Sequence, residues 1–144
     1  MRRVGGFVNI QKTGADRRRF HRYRVDYPIS YNLKNINDIS TGMAMNLSEG
    51  GLLACFFDRI SVGAELDLEM FYTFELQFTC LTVEAKIVWK DIMETSEAIE
   101  YQYGLEFTGM DQHERNRLRK LLASMHSSQC YPLSGQTVMD KQSL

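Results

Sequence analysis

Long apolar runs are missing: no stretch approaches the roughly 18 consecutive apolar residues of a membrane-crossing helix, so no membrane insertion is expected. Cysteine is scarce. Cys55, Cys80 and Cys130 are an odd number, and none pair in a CxxC spacing. That argues against a disulfide framework or a cysteine-based zinc site, and it suits a reducing, cytoplasmic setting. His21, His113 and His126 are scattered without metal-ligand spacing, so neither a metal nor another cofactor is expected. The N-terminal segment MRRVGGFVNIQKTGAD has two arginines but no apolar run after them, which is not the pattern of a secretory signal. Paired carboxylates, a nucleophile beside a histidine and a phosphate-loop glycine pattern are also missing, and the chain reads as a non-enzyme. No internal repeat or low-complexity tract is found.

What is present is enough for one core. The chain has 144 residues, 44% hydrophobic and 24% charged, which suits a single domain. Its net charge of −1 hides an uneven distribution. Residues 1–24 hold eight basic residues and one acid, a charge of +7, while the rest hold nine basic and 17 acidic residues, a charge of −8. A basic arm on an acidic body implies a polyanionic ligand, or an arm that rests on the body until a ligand competes for it.

Residues 1–15 read as a flexible leader. From Val25 the pattern alternates strictly: Val25, Tyr27, Ile29, Tyr31 and Leu33 on one face, Asp26, Pro28, Ser30 and Asn32 on the other. Period 2 with β-branched and aromatic residues predicts a strand, and Pro28 places part of it at an edge or bulge. Lys34–Asp38 reads as a turn, after which Ile39, Thr41, Met43 and Met45 continue the alternation to Asn46. A tight Ser48–Gly51 segment precedes an apolar run from Leu52 to Phe57, and Leu66 and Leu68 alternate with acids in the next strand. A β-rich stretch runs from Phe74 to Trp89, with a bulge expected at Cys80-Leu81. Trp89 is read as a wall or helix-contact residue. Asp91–Glu100 reads as an acidic loop, and Tyr101, Tyr103, Leu105 and Phe107 as the last strand. Asp111, with Glu114 three residues on, predicts a capped helix whose apolar stripe is Leu118, Leu121, Leu122 and Met125. Residues 126–144 read as a frayed tail. The expected fold is mainly β: a small six-stranded antiparallel barrel with a C-terminal helix and a flexible N-terminal arm.

Two clusters carry chemistry. The first is Arg17-Arg18-Arg19-Phe20-His21-Arg22, directly before the first strand; the second is Asn46-Leu47-Ser48-Glu49-Gly50-Gly51, between the second and third strands. Together they resemble the PilZ domain family, whose signatures are RxxxR, often RRxxxR, followed by [D/N]xSxxG. Arg17, Arg18 and Arg22 match the first, and Asn46, Ser48 and Gly51 the second. The strand-like segments 83–89 and 103–107 and the helix after Asp111 extend the likeness over residues 16–125. The resemblance implies a receptor for the bacterial second messenger cyclic di-GMP (c-di-GMP), with Arg17, Arg18, Arg22, Asn46, Ser48 and Gly51 as ligand-binding residues. It also implies roles in motility, exopolysaccharide production, adhesion or virulence through an unidentified downstream protein. The chemistry is consistent with this: a guanidinium grips a phosphate or a guanine edge with two parallel bonds and stacks its flat face on a base. His21 reads as a spacer within the arm. The alternative is a protein-interaction module with a vestigial ligand site. Binding of DNA or RNA through the arm is disfavoured, because the acidic body would repel an extended polyanion.

Overall fold

The computed structural model describes residues 20–129, and side chains as far as Ser127. The expected leader, Arg17, Arg18 and the segment beyond 129 lie outside the described residues. Six strands, β1 (Tyr23–Leu33), β2 (Ser40–Leu47), β3 (Gly51–Phe56), β4 (Glu65–Phe74), β5 (Gln77–Glu94) and β6 (Ile99–Gly109), are followed by one helix, α1 (Gln112–Gln129). All strand pairs are antiparallel. The sheet closes into a ring in the order β1-β2-β3-β6-β5-β4.

The alternation in the sequence becomes an inside and an outside. Ile29 and Tyr31 of β1, Leu66, Leu68 and Met70 of β4, and Leu81, Val83, Ala85 and Ile87 of β5 fill the interior. Closure leaves few free edges for these apolar strands. Beyond Phe56 the chain crosses one end of the ring to reach β4, and aromatic rings plug that end. Tyr31 stacks on Phe56 at 4.1 Å, and Phe56 lies 5.1 Å from Tyr103. Tyr103 donates a hydrogen bond to the Asp58 carbonyl and accepts one from the Ile60 amide, at 2.8 and 2.9 Å. Tyr31 donates to the Asp58 carboxylate at 2.7 Å. That bond, and a second from Ser40, hold the Asp58 carboxyl below the usual carboxylate range. The same contact helps burial to push the Tyr31 hydroxyl well up.

A stability prediction follows from this plug. Tyr31→Phe keeps the ring and removes the bond to Asp58, at a cost of about 1 kcal/mol near neutral pH. A depressed carboxyl stabilises the fold above its unfolded pKa, and that contribution is lost as pH falls through the folded value. Urea unfolding from neutral pH into the acid range should therefore show a shallower acid loss in the variant than in the parent.

Several local expectations are corrected. The inner face of β2 is Gly42, Ala44 and Leu47, whereas Ile39 is 72% and Met45 38% exposed. A side chain at Gly42 would collide with the Phe56 ring, so the large aromatic across the strand pair requires small residues there. The register then slips between Ala44 and Asn46 and turns Leu47 inward. The stretch from Phe74 to Trp89 contains the start of a new strand: Glu75 and Leu76, with φ of 53° and 67°, make a two-residue turn joining β4 to β5. Positive φ at both positions is the primed-turn geometry that matches strand twist. The β5–β6 pairing slips at Glu84/Ala85, where the extra residue is Thr108 of β6, and at Ile87/Trp89, where it is Val88 of β5; no bulge falls at Cys80-Leu81. Residues Asp91–Glu94 and Ile99–Glu100 are paired strand, which leaves only 95–98 as a turn.

α1 covers the other end of the ring. Asp111 caps it by accepting from the Glu114 amide at 2.9 Å. Only half of the expected capping box forms, because the Glu114 carboxylate accepts from the Thr82 amide instead. Leu118 and Leu121 are buried, with Leu122 and Met125 packed beside them. Arg117 donates to the Cys80 carbonyl at 2.7 Å. The helix continues to Gln129, past the end expected at Met125.

Candidate ligand-binding site

The described part of the first cluster, Phe20 to Arg22, meets the second cluster at the helix-covered end of the ring. Pairing of β1 with β2 sets Tyr23 opposite Leu47 and Arg24 opposite Asn46. Arg22, one residue before β1, therefore lies beside the end of β2, and its Nη1 donates to Asn46 Oδ1 at 3.2 Å. Both groups are solvent-accessible at this contact. Arg22, Asn46, Ser48 and Gly51 are thus brought together; Arg17 and Arg18 lie outside the described residues.

Ser48 is 4% exposed, and its hydroxyl is spent on the turn. It donates to the Gly51 carbonyl at 3.3 Å and accepts from the Gly50 amide at 3.2 Å, while the Ser48 amide donates to the Gly51 carbonyl at 2.9 Å. The Phe107 amide fastens the turn to β6 by donating to the Gly50 carbonyl at 2.9 Å. At Gly51 the crowding comes from the protein itself: a Cβ would stand 2.0 Å from the Leu105 carbonyl oxygen.

Neighbouring groups that sequence reasoning did not assign to the site complete this surface. The Phe20 ring lies over Gly50, where any Cβ would be 2.8 Å from it. Phe20 and Gly50 line a cleft of about 540 Å³, with Phe107, Arg115 and Arg119 around it. That size falls within the range of small-molecule sites. Glu49, inside the turn motif, pairs with Arg119 of α1 at 2.7 Å. Lower on the helix, His126 Nδ1 shares a hydrogen bond of 2.9 Å with the Tyr23 hydroxyl. His21, read above as a spacer, packs its ring 4.5 Å from Tyr23. The base of the arm is therefore held between the turn and the helix. Trp89, on the ring wall, fills the space that a side chain at Gly104 would need. Among the described residues no group of three or more His, Cys, Asp or Glu side chains could hold a metal.

Such a surface suits a small, flat anion. The Arg22–Asn46 contact offers a forked guanidinium donor and an amide side chain, and the cleft offers an aromatic ring with Arg115 and Arg119, while Glu49 and Glu106 disfavour diffuse negative charge. The family model of the PilZ domain matches residues 16–124 of the chain. The chain belongs to the PilZ domain family. Solved PilZ proteins share its fold at low identity. The Bacillus subtilis inhibitor of motility MotI/DgrA aligns over 79% of this chain and 53% of its own, with a TM-score of 0.65 and 15% identity. The PilZ domain of Escherichia coli YcgR, solved with c-di-GMP, aligns over 78% of this chain and 94% of its own, with a TM-score of 0.59 and 14% identity. The MrkH–c-di-GMP complex of K. pneumonia aligns over 78% and 54%, with a TM-score of 0.61 and 15% identity. This PilZ chain thus spans about half the length of MotI/DgrA and MrkH. No curated protein sequence matches it. MrkH is described as a c-di-GMP-dependent transcription regulatory factor, so the fold does not exclude a nucleic-acid partner, against the weight given above to the acidic body. Among the described residues no helix is long and apolar enough to cross a membrane.

Proposed function

We propose that this PilZ chain is a c-di-GMP receptor. The observation that carries the reading is the Arg22–Asn46 contact beside the Ser48–Gly51 turn. It supports a site in which Arg22 grips a phosphate or guanine edge, Asn46 reads the base, and the turn presents both at fixed distance. Arg17 and Arg18 then close on the ligand from the other side, and the change in shape and charge on this face is what a downstream protein reads. Each charge-assisted bond returns about 1.5–3 kcal/mol. A few of them, with base stacking, reach the roughly −8 kcal/mol of micromolar affinity after the arm's ordering cost. A reducing, cytoplasmic setting fits Cys55 and Cys80, both free thiols among the described residues.

One observation favours a second reading, a protein-interaction module with a vestigial site. Ser48 and Gly51 have structural duties that would preserve them without any ligand. Arg22 and Asn46 fill no such role in the core, which returns the balance to binding. Isothermal titration of the chain with c-di-GMP, with GMP as control, separates the two. Saturable heat at micromolar concentration is expected for the cyclic dinucleotide alone, and its absence would leave only the interaction module.

A further inference from the structure

Among the described residues, one strand edge of the ring is left open. β4 pairs with β5 only as far as Glu65 opposite Lys86. The next residue, Ile87, is the last to bond on that side among the described residues, donating to the Ala64 carbonyl and accepting from the Gly63 amide at 2.9 and 2.7 Å. β5 nevertheless continues to Glu94, paired among the described residues with β6 alone. The direction of its outer backbone groups follows from the turn. The Thr95 amide bonds across to the Ala98 carbonyl, so with the alternation of an antiparallel ladder Glu94, Ile92 and Lys90 point their amides and carbonyls away from β6. The Ile92 amide is in fact taken by the Asp91 carboxylate beside it at 2.9 Å, as a donor facing no strand would be. The apolar side chains here are exposed: Val88 by 45%, Ile92 by 52% and Met93 by 41%. Neither Lys90 nor Glu94 has an ion-pair partner among the described residues.

We infer that this edge pairs with the same edge of a second copy of the chain, antiparallel, about a two-fold axis at Ile92. A two-fold pairing must keep side chains of one face together, which allows only a few registers. An axis at Lys90 sets Lys90 against Lys90, and an axis at Asp91 sets Asp91 against Asp91; both are penalised. The axis at Ile92 sets Lys90 opposite Glu94 of the other copy twice over, Ile92 opposite Ile92, and Asp91 opposite Met93. It also satisfies every outward amide and carbonyl of Lys90, Ile92 and Glu94, releasing Asp91 from the Ile92 amide. The pattern Lys-x-Ile-x-Glu is therefore self-complementary in the one register that the backbone also favours. The same charges discourage pairing with other strands. So short a ladder makes a weak dimer, in the micromolar range or above.

Sedimentation velocity of the full chain, from micromolar to near-millimolar concentration, tests this. The parent should pass from monomer to dimer as concentration rises. Glu94→Lys and Lys90→Glu should each weaken the dimer at least about tenfold, because each sets like charges opposite one another at both ends of the ladder. The double variant Lys90→Glu/Glu94→Lys should regain it. Far-ultraviolet circular dichroism checks that the variants are folded. A parent that stays monomeric throughout, or a dimer indifferent to the single swaps, overturns the inference. The readout does not involve c-di-GMP, so it stands or falls apart from the receptor reading.

Discussion

Arg22→Ala is expected to weaken c-di-GMP binding by about 100-fold or more while leaving the fold intact. The side chain lies at the surface, and its bond to Asn46 is solvent-accessible, so its loss removes little from the core. In the proposed complex it contributes two charge-assisted bonds, together about 3–6 kcal/mol, and 1.4 kcal/mol corresponds to tenfold. Micromolar affinity would retreat beyond about 100 μM. Arg22→Lys separates charge from geometry. An ammonium keeps the Coulombic attraction but loses the fork and the stacking plane, so it should recover no more than about tenfold. Calorimetry with both variants checks the order parent, Lys, Ala; equal affinity of Ala and parent would remove Arg22 from the site.

Gly51→Ala should strike stability harder than any surface change. Its added methyl would meet the Leu105 carbonyl oxygen at 2.0 Å, the Leu105 carbonyl carbon at 3.1 Å and the Glu106 Cα at 3.2 Å, all main chain. Main chain cannot rotate aside, so β3 must part from β6 where Gly51 faces Glu106. Overpacking of this kind costs about 1–3 kcal/mol. The turn bonds that converge on the Gly51 carbonyl add about 1 kcal/mol each if they are strained, for a total of about 3–5 kcal/mol. Stability of a domain this size is about 5–15 kcal/mol, so the loss is a large share of it. Gly63 supplies the contrast. Its φ of 97° is a left-handed conformation, yet nothing lies within 4 Å of an added Cβ. Gly63→Ala should therefore cost only the backbone strain, about 1–2 kcal/mol. Thermal unfolding of the two variants should show a markedly lower midpoint for Gly51→Ala; similar midpoints would mean that crowding against β6 is relieved at little cost.

The faces of β1 and β4 were legible because their large apolar residues alternate and the ring buries one set. β2 was misread because its inward positions, Gly42 and Ala44, are the small ones. Their size is dictated by Phe56 across the strand pair, a fact of tertiary packing rather than of local pattern. The β4–β5 turn escaped notice for a related reason: Glu75 and Leu76 adopt positive φ without the Asn-Gly signature that normally announces such a turn. At the site, the proximity of Arg22 to Asn46 is what the resemblance of the two motifs to the PilZ domain family implies. The resting place of Phe20 on Gly50 and the Glu49–Arg119 pair were not implied, since both depend on how the turn, the arm and α1 come together at one end of the ring. Ser48 and Gly51, which the sequence offers as ligand-binding residues, also hold the turn and its packing on β6, a duty that the motif alone does not reveal.

The most direct test of the receptor reading is a titration of isotopically labelled protein with c-di-GMP, followed by the backbone amide resonances. The account expects saturable shifts concentrated at Arg22, Asn46, Ser48, Gly50 and Gly51, with Arg17 and Arg18 joining them. No shift at saturating ligand, or shifts gathered on another face such as the β4–β5 turn, would contradict it.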